Sequence, residues 1–152
     1  MSYVTGTTQP IVDCVMCDLA SAASDEEKLV LRRGNRAFMV LNLYPYNTGH
    51  VMINPYRHVS LYTEVTPEET LEIGALTQTA MRVLEAVSGA QGFNIGMNQG
   101  AAGGAGIAGH LHQHVVPRWG GDANFLPIVG RTKALPELLS DTRRRLADAW
   151  PA

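Results

Sequence analysis

His110-Leu111-His112-Gln113-His114-Val115-Val116-Pro117-Arg118 holds three of the chain's five histidines, spaced two residues apart. On an α-helix, a rotation of about 100° per residue would turn the middle imidazole away from the other two. On a β-strand, all three imidazoles project from one face, about 7 Å apart. The β-branched Val115 and Val116 and the closing Pro117 favour a strand over 111–117. We therefore predict alternate imidazoles in one cleft; a solvated tract that binds metal adventitiously is the alternative.

A glycine-rich segment, 100–109, comes immediately before these histidines and contains five glycines in ten residues. Such a backbone can adopt positive φ and approach a ligand closely, and its consecutive N–H groups can surround an anion. Taken alone, the segment reads as a flexible surface loop. Next to a strand that presents imidazoles, it is better interpreted as a phosphate-binding loop. It is not a Walker loop, because no Gly-Lys-Ser/Thr follows it.

The two cysteines of the chain form one short motif, Cys14-Val15-Met16-Cys17. One close pair is not a disulfide framework for a chain of 152 residues. The motif fits half of a tetrahedral zinc site, but a redox pair and two inert cysteines are also open readings. The motif alone does not reveal the other ligands.

The remaining patterns predict an α+β fold with a mainly antiparallel sheet, one long central helix and a C-terminal helix, in a single domain over 1–152. Gly34-Asn35 predicts a hairpin between strands at 29–33 and 37–43, and further strands are expected at 50–54 and 93–98. Thr66-Pro67-Glu68-Glu69 is a strong helix start, and Gly89 is a plausible end. The apolar positions of this helix are Ile73, Leu76, Ala80, Val83, Leu84 and Val87. A last helix is expected over 136–150, with Leu135, Leu138, Leu139 and Leu146 as its apolar residues.

Composition excludes several classes of protein. Hydrophobic residues make up 45% of the chain and charged residues 17%, so a folded core is expected. The 12 Lys and Arg residues and 14 Asp and Glu residues give a net charge of −2, which excludes a broad basic surface for a nucleic acid polymer or an anionic membrane. No apolar run approaches the ~20 residues that span a bilayer, and no secretory signal is visible at the start. We expect a cytoplasmic protein.

Taken together, these motifs resemble the histidine triad (HIT) superfamily of nucleotidyl hydrolases and transferases, whose signature is His-x-His-x-His-x-x with apolar x. The match is 110–116, where Gln113 stands at a position that is usually apolar. The resemblance extends over 14–118 through Cys14-x-x-Cys17, Leu41-Asn42-Leu43, the segment 49–58 with Gly49-His50, Pro55 and His58, and Asn98. It implies the fold of this superfamily, a small nucleotide as partner, and a homodimer.

In zinc-bearing members of the superfamily, the matching positions hold a metal ion. The resemblance therefore implies one structural zinc per chain, held by Cys14, Cys17, His58 and His110. Such a set completes a four-coordinate site and leaves no open position for a metal-bound water. Zinc would then fasten the N-terminal segment to the catalytic strand without taking part in the reaction. Considered alone, His58 would be read as a surface residue.

The resemblance further implies that His112 is the nucleophile and forms a nucleotidyl-histidine intermediate. A neutral imidazole attacks well near neutral pH when its other nitrogen is held as a hydrogen-bond donor. His114 would donate to a phosphate oxygen. The implied substrate-binding residues are Asn42 at the ribose, Leu41 and Leu43 at the base, His50 beside the triad, Asn98 at the phosphate, and Gly104 and Gly106 through backbone N–H groups. Judged only as residues, Asn42, Asn98 and His50 are compatible with stabilising turns, and Leu41 and Leu43 are equally compatible with ordinary core positions.

One position departs from the superfamily pattern. Four residues before the first triad histidine, many members carry Gln, Ser or Thr that assists the leaving group, whereas this chain has Gly106. The segment 117–125 resembles the bacterial branch that contains diadenosine tetraphosphate phosphorylase, in which inorganic phosphate replaces water as acceptor. The acceptor is therefore left open between water and phosphate.

Three functional hypotheses follow. The first is an enzyme that cleaves a nucleoside 5′-phosphoryl bond through His112, with dinucleoside polyphosphates or nucleoside phosphoramidates as substrates. The second is an AMP-binding sensor or scaffold module without meaningful turnover, which the missing side chain at Gly106 supports. The third is thiol redox chemistry at Cys14 and Cys17.

Overall fold

Five strands form one antiparallel sheet in the computed structural model of the chain, which describes residues 14–122 and 136–151. The strands are β1 (Val30–Arg33), β2 (Ala37–Leu41), β3 (Val51–Pro55), β4 (Gly92–Gly96) and β5 (Gln113–Arg118). Their order across the sheet is β1-β2-β3-β5-β4, so β5 lies between β3 and β4. Every neighbouring pair is antiparallel. The predicted fold class is therefore confirmed.

The described residues form three α-helices beside the sheet, α1 (Val15–Ala20), α2 (Pro67–Ser88) and α3 (Leu139–Asp148), and a 3₁₀ turn at Tyr62–Glu64. The start of α2 is the expected capping box, in which the Glu69 N–H donates to the Thr66 hydroxyl and the Thr66 N–H donates to the Glu69 carboxylate. Gly89 ends the helix in the left-handed region at φ 65°. No described helix is long and apolar enough to cross a membrane.

The two faces of the sheet are covered by different helices. Residues from alternate strand positions pack with α2 and α3 in the larger core, which contains Leu31, Met39, Leu41, Val51, Ile53, Ile73, Ala80, Leu84, Val115 and Leu146. The other alternate positions pack with α1 in a smaller cluster of Met16, Val30, Phe38, Val40 and Met52. The register pairs Met52 of this second face with His114, so His114 shares the face with the α1 cluster. We call this the histidine face.

An ion pair between β3 and α2 fixes the chain just before His58. Arg57 donates from Nε and Nη2 to the two carboxylate oxygens of Glu69, each at 2.7 Å. This bidentate pair, more than burial, sets the protonation of the carboxyl and lowers the pKa of Glu69 to about 2. Because Glu69 also caps α2, one buried carboxylate joins the helix start to the exit of β3.

Some element boundaries differ from the predictions. Strand β5 begins at Gln113, two residues later than expected, because the Leu111 N–H donates to the Val59 carbonyl at 2.7 Å instead of to β3. Strand β2 ends at Leu41, β4 covers Gly92–Gly96 instead of 93–98, and α3 begins at Leu139. The predicted apolar role of Leu135 and the end of the 117–125 motif lie outside the described residues.

Candidate active site and metal site

Two cysteines and two histidines converge into one cluster. The ligand atoms of Cys14, Cys17, His58 and His110 all lie within 4.8 Å of one another. Nδ1 of His110 is 3.4 Å from the Cys14 Sγ and 3.6 Å from the Cys17 Sγ, and Nδ1 of His58 is 3.3 Å from the Cys17 Sγ. Ligands around a tetrahedral zinc, with Zn–S near 2.3 Å and Zn–N near 2.05 Å, are separated by about 3.6 Å. The cluster therefore fits a tetrahedral metal ion.

The fold brings these donors together from distant parts of the chain. Cys14 is the N-cap of α1 and Cys17 lies within that helix, whereas His58 follows β3 and His110 precedes β5. Nε2 of His110 lies 2.9 Å from the Pro55 carbonyl. A carbonyl oxygen can only accept a hydrogen bond, so Nε2 carries the proton. The Nδ1 lone pair of His110 is therefore directed at the cysteines, as a metal ligand requires.

The thiol chemistry of the cluster makes metal binding dependent on pH. Burial, followed by the neighbouring Cys14, raises the pKa of Cys17 to about 11 when no metal is present. At neutral pH the metal-free cluster therefore holds a thiol, whereas a bound metal ion requires the thiolate. Metal binding is accordingly expected to release protons. We find that the four predicted ligands are brought together and that their donor set suits zinc.

His112 lies beside this cluster with one nitrogen anchored. It is 4% exposed, and its Nδ1 is 2.8 Å from the His110 carbonyl. A carbonyl accepts hydrogen bonds only, so Nδ1 carries the proton and the lone pair stands on Nε2. Among the described residues, none makes a hydrogen bond to this Nε2. The imidazole is thus held in the tautomer that a nucleophile needs.

A series of hydrogen bonds from Tyr46 through His50 fixes the tautomer of His114. The Tyr46 N–H donates to Nδ1 of His50 at 3.0 Å, so the proton of the neutral His50 ring is on Nε2. This Nε2–H points at Nδ1 of His114, 2.9 Å away. His114 therefore carries its own proton on Nε2. The rings of His112 and His114 are 4.9 Å apart, which places a nucleophile next to a hydrogen-bond donor.

Burial keeps His114 neutral. It is 9% exposed, and desolvation, followed by the nearby His112, lowers the pKa of His114 to about 4. At neutral pH the ring is thus a single N–H donor and carries no charge.

This shift predicts a pH-dependent stability. Since the pKa of His114 is lower in the folded protein than the ~6.5 of an unfolded chain, the unfolded state takes up the proton first as the pH falls. The contribution of His114 to the free energy of unfolding is fully present above pH 6.5 and is lost as the pH falls from 6.5 to 4. At pH 5 the loss is about 2 kcal/mol. We expect His114→Gln to remove this contribution.

The measurement is denaturant unfolding of both proteins at pH 7 and pH 5 with zinc in excess. The wild type should lose about 2 kcal/mol more than His114→Gln over this interval. Titrating groups that do not interact with His114 are common to both proteins, so they cancel in the difference. Equal losses in the two proteins would contradict the assigned neutral state of His114.

The residues predicted at the ribose and base are only partly assembled. Asn42 is buried, its Nδ2 lies 3.3 Å from Nδ1 of His50, and its Oδ1 accepts the Tyr44 N–H at 2.9 Å. Leu43 is 58% exposed beside it. Leu41, by contrast, is buried in the core against α2, because strand alternation turns it away from the histidine face. The structure does not bring Leu41 to the site.

The loop before the triad is open to solvent. Asn98 is half-buried and lies two residues after Gly96, the β4 residue that pairs with His114. The Gly104 N–H donates to the Ala101 carbonyl at 3.1 Å, so in this conformation it is used within the loop. A Cβ at Gly106 would meet nothing within 4 Å. A side chain would fit there, and the chain places none.

Sequence patterns did not identify Tyr46, whose ring lies 4.7 Å from that of His50 and 5.6 Å from that of His114. Tyr46 is 55% exposed and covers the outer side of this histidine pair. The chain turns into β3 directly after it, at Gly49 with φ 79°, where a Cβ would meet the Leu84 Cδ2 at 2.9 Å. The loop contains both Tyr44 and Tyr46, and no local pattern distinguishes which of the two contacts the histidines.

Comparisons with known proteins agree with this geometry. The HIT domain family profile matches residues 24–121. AP-4-A phosphorylase of Mycobacterium tuberculosis is 56% identical over 127 residues, which are 84% of this chain and 65% of that protein. Asymmetrical bis(5′-nucleosyl)-tetraphosphatase of Schizosaccharomyces pombe is 33% identical over 78 residues, which are 51% of this chain and 42% of that protein. The chain thus spans less than two thirds of the length of these relatives.

A solved structure gives the same result for the fold. The zinc-bound histidine triad family protein of Mycobacterium smegmatis superposes with a TM-score of 0.74 and 26% identity, over 91% of this chain and 93% of that one. That protein is bound to zinc, the metal for which the Cys14, Cys17, His58 and His110 cluster is suited. With the family profile covering 24–121 and the same sheet, helices and histidine pattern present, the chain belongs to the HIT domain family.

Proposed function

We propose that the protein is a nucleotidyl hydrolase or transferase that cleaves a nucleoside 5′-phosphoryl bond through His112. One observation carries the proposal: Nδ1 of His112 is anchored as a donor to the His110 carbonyl, while Nε2 has no hydrogen-bond partner among the described residues. The names of the relatives, a phosphorylase of AP-4-A and a bis(5′-nucleosyl)-tetraphosphatase, support the same class of substrate.

The proposed first step conserves charge as follows. The Nε2 lone pair of His112 attacks the α-phosphorus, the bond from phosphorus to the bridging oxygen breaks, and the leaving phosphate keeps the electron pair. The ring retains its proton on Nδ1 and therefore becomes positively charged in the nucleotidyl-histidine. In the second step, water or inorganic phosphate attacks the phosphorus, the bond from phosphorus to Nε2 breaks, and its electron pair returns to Nε2. When water is the acceptor, it releases one proton to the solvent.

The neighbouring groups have supporting roles in this proposal. His114 donates its Nε2–H to a phosphate oxygen, because its Nδ1 is occupied by His50. Asn98 and the Gly106 N–H contact the phosphate from the other side, and Asn42 contacts the ribose. Gly104 takes part only if its hydrogen bond to Ala101 opens. For the base, the exposed Leu43 remains the proposed wall.

We propose that the Cys14, Cys17, His58 and His110 cluster holds one structural zinc per chain. All four donors belong to protein side chains, so a tetrahedral ion would have no position left for substrate. The metal would supply cross-linking between α1 and the start of β5. His110 connects the two sites, since its side chain faces the cluster while its carbonyl accepts the His112 proton.

The test of function is product analysis with diadenosine tetraphosphate, with and without inorganic phosphate. AMP and ATP would indicate hydrolysis, whereas ADP and ATP that form only with phosphate would indicate phosphorolysis. The 56% identity with a protein named AP-4-A phosphorylase supports the second outcome. If diadenosine tetraphosphate and a nucleoside phosphoramidate both remain intact, the proposed activity is wrong.

The AMP-binding sensor remains the second candidate, because Gly106 leaves the leaving-group side of the site without a side chain although one would fit. Trapping of adenylylated His112 by mass spectrometry would exclude it. The thiol redox hypothesis is disfavoured, since both cysteines face histidine ligands at 3.3–3.6 Å. The homodimer and the cytoplasmic location stay predictions; the exposed Leu71 and Ile95 offer apolar surface for the former.

A further inference from the structure

We infer that Asn54 is a positioning residue for the nucleophile, whose buried amide dipole stabilises the positive charge that the His112 ring acquires during nucleotidyl transfer. The inference rests on the proposed function, because it requires His112 to become charged. It assigns a role to a residue that no sequence motif singled out.

Asn54 is an unusual buried polar residue. Its side chain is 0% exposed, yet neither Oδ1 nor Nδ2 has a hydrogen-bond partner among the described residues. Among the described residues, no other side-chain nitrogen or oxygen atom that is completely shielded from solvent is left without a partner. A buried amide without partners lowers the stability of a folded protein, and an apolar residue in its place would not. Such a cost is typical of positions that serve a function.

The register of the sheet places this side chain beside the nucleophile. Met52 of β3 pairs with His114, and Ile53 pairs with Gln113 as the last pair of this ladder. We extend the same register by one residue past the ladder, which sets Asn54 opposite His112. Asn54 shares the face of Met52 by strand alternation, and the ring of His112 lies 4.9 Å from that of His114 on the same face. Directly opposed side chains on one face have Cβ atoms about 5 Å apart.

The buried surroundings of Asn54 on this face are apolar. Phe38 is its partner on β2, and the buried cluster on this face consists of Met16, Val30, Phe38, Val40 and Met52. His112 has already committed its Nδ1 proton to the His110 carbonyl. The amide therefore lies in a region of low dielectric, next to the ring on which charge develops.

Electrostatics explain why such a dipole would help. Before the attack the ring is neutral and interacts weakly with the amide. After the attack Nε2 is bonded to phosphorus while Nδ1 keeps its proton, so the ring is a cation in an environment with little water. The carbonyl end of a fixed dipole then stabilises the ring without any reorganisation, and the stabilisation exists only in the transition state and the intermediate. Interactions of that kind raise kcat and leave substrate binding unchanged.

The experiment compares the wild type with Asn54→Leu, which is similar in volume but has no dipole. We expect kcat for diadenosine tetraphosphate and the rate of nucleotidyl-His112 formation in a single turnover to fall about 10- to 100-fold. KM and AMP affinity should stay within about twofold, and the thermal midpoint should rise because a buried unpaired amide is removed. The His112 Nδ1–H signal in ¹⁵N NMR should persist, since the His110 carbonyl is untouched.

Two further proteins keep the test decisive. Asn54→Val provides the same loss of dipole in a residue that favours strands, in case the leucine does not fold. Met39→Leu is the matched control, a volume-conserving change one strand away on the opposite face, and it should leave kcat unchanged.

The outcomes separate this inference from the proposed function. If the wild type turns over and the Asn54 variants keep kcat within twofold, the inference is overturned and the function stands. A fall in AMP affinity that matches the fall in kcat would also overturn it, because the residue would then act on substrate binding. If the wild type itself forms no nucleotidyl-histidine, the proposed function fails and the inference falls with it.

Discussion

His112→Ala is expected to lower kcat/KM for diadenosine tetraphosphate at least about 10⁴-fold, which corresponds to about 5.5 kcal/mol of lost transition-state stabilisation. The reason is that the proposed covalent step depends on Nε2 of this ring, whose tautomer the His110 carbonyl fixes. His114 cannot replace it, because its Nδ1 is occupied by His50 and its Nε2 carries the proton. Steady-state assays of product formation measure the effect.

Two controls separate loss of chemistry from loss of structure. The variant should keep its AMP affinity within a few-fold in calorimetry, since the ring contributes little to binding in the proposed step. Free imidazole should restore part of the rate, because the truncation leaves a cavity of the shape of the missing ring. Retained turnover in the variant would remove the nucleophile assignment. Loss of AMP binding together with unfolding would show that the variant cannot test it.

The second large effect is expected from the metal cluster. Removal of zinc by a chelator, or Cys14→Ser, should lower the free energy of unfolding by several kcal/mol, because the ion would cross-link α1 to the segments before and after the sheet strands. At a temperature where the variant is still folded, kcat should change less than tenfold. Metal analysis of the wild type should return about one zinc per chain.

The control for this substitution is Ser21→Ala, which removes a hydroxyl that donates to the Cys17 and Asp18 carbonyls at the end of the same helix and leaves all four ligand side chains in place. It should cost no more than about 1 kcal/mol. If chelation leaves the unfolding midpoint unchanged, the structural role of the metal is wrong. If kcat falls in parallel with metal content while the fold stays intact, the metal has a catalytic role that a closed four-ligand site does not predict.

Local signals in the sequence predicted much of the fold. The Thr66 to Glu69 capping box and Gly89 bound α2 correctly, because such signals act within a few residues. The start of β5 was wrong by two residues, since the hydrogen bond between Leu111 and Val59 joins segments about 50 residues apart. No local pattern reports where such a ladder begins.

The same distinction applies to the site. Cys14 and Cys17 were identified by their motif, and His58 and His110 were implied by the family resemblance. The structure brings all four together. Leu41 was expected at the base, but it follows Val40 of the histidine face by one residue and therefore points to the opposite core. Strand alternation, applied from Asn42 backwards, would have excluded it. The environment of Asn54 depends on the register of β3 with its two neighbouring strands, β2 and β5. No local sequence pattern predicts that register.

The main-chain oxygen of His110, rather than its imidazole, is what orients the His112 ring. Every amino acid at position 110 would offer the same oxygen. Orientation of the nucleophile therefore depends on the main chain of His110, whereas metal binding depends on its side chain. A protein engineer could therefore seek a zinc-free version by replacing all four ligands with a well-packed apolar set. Provided that the backbone path from Pro55 to Gln113 is preserved, such a version should retain the attacking tautomer.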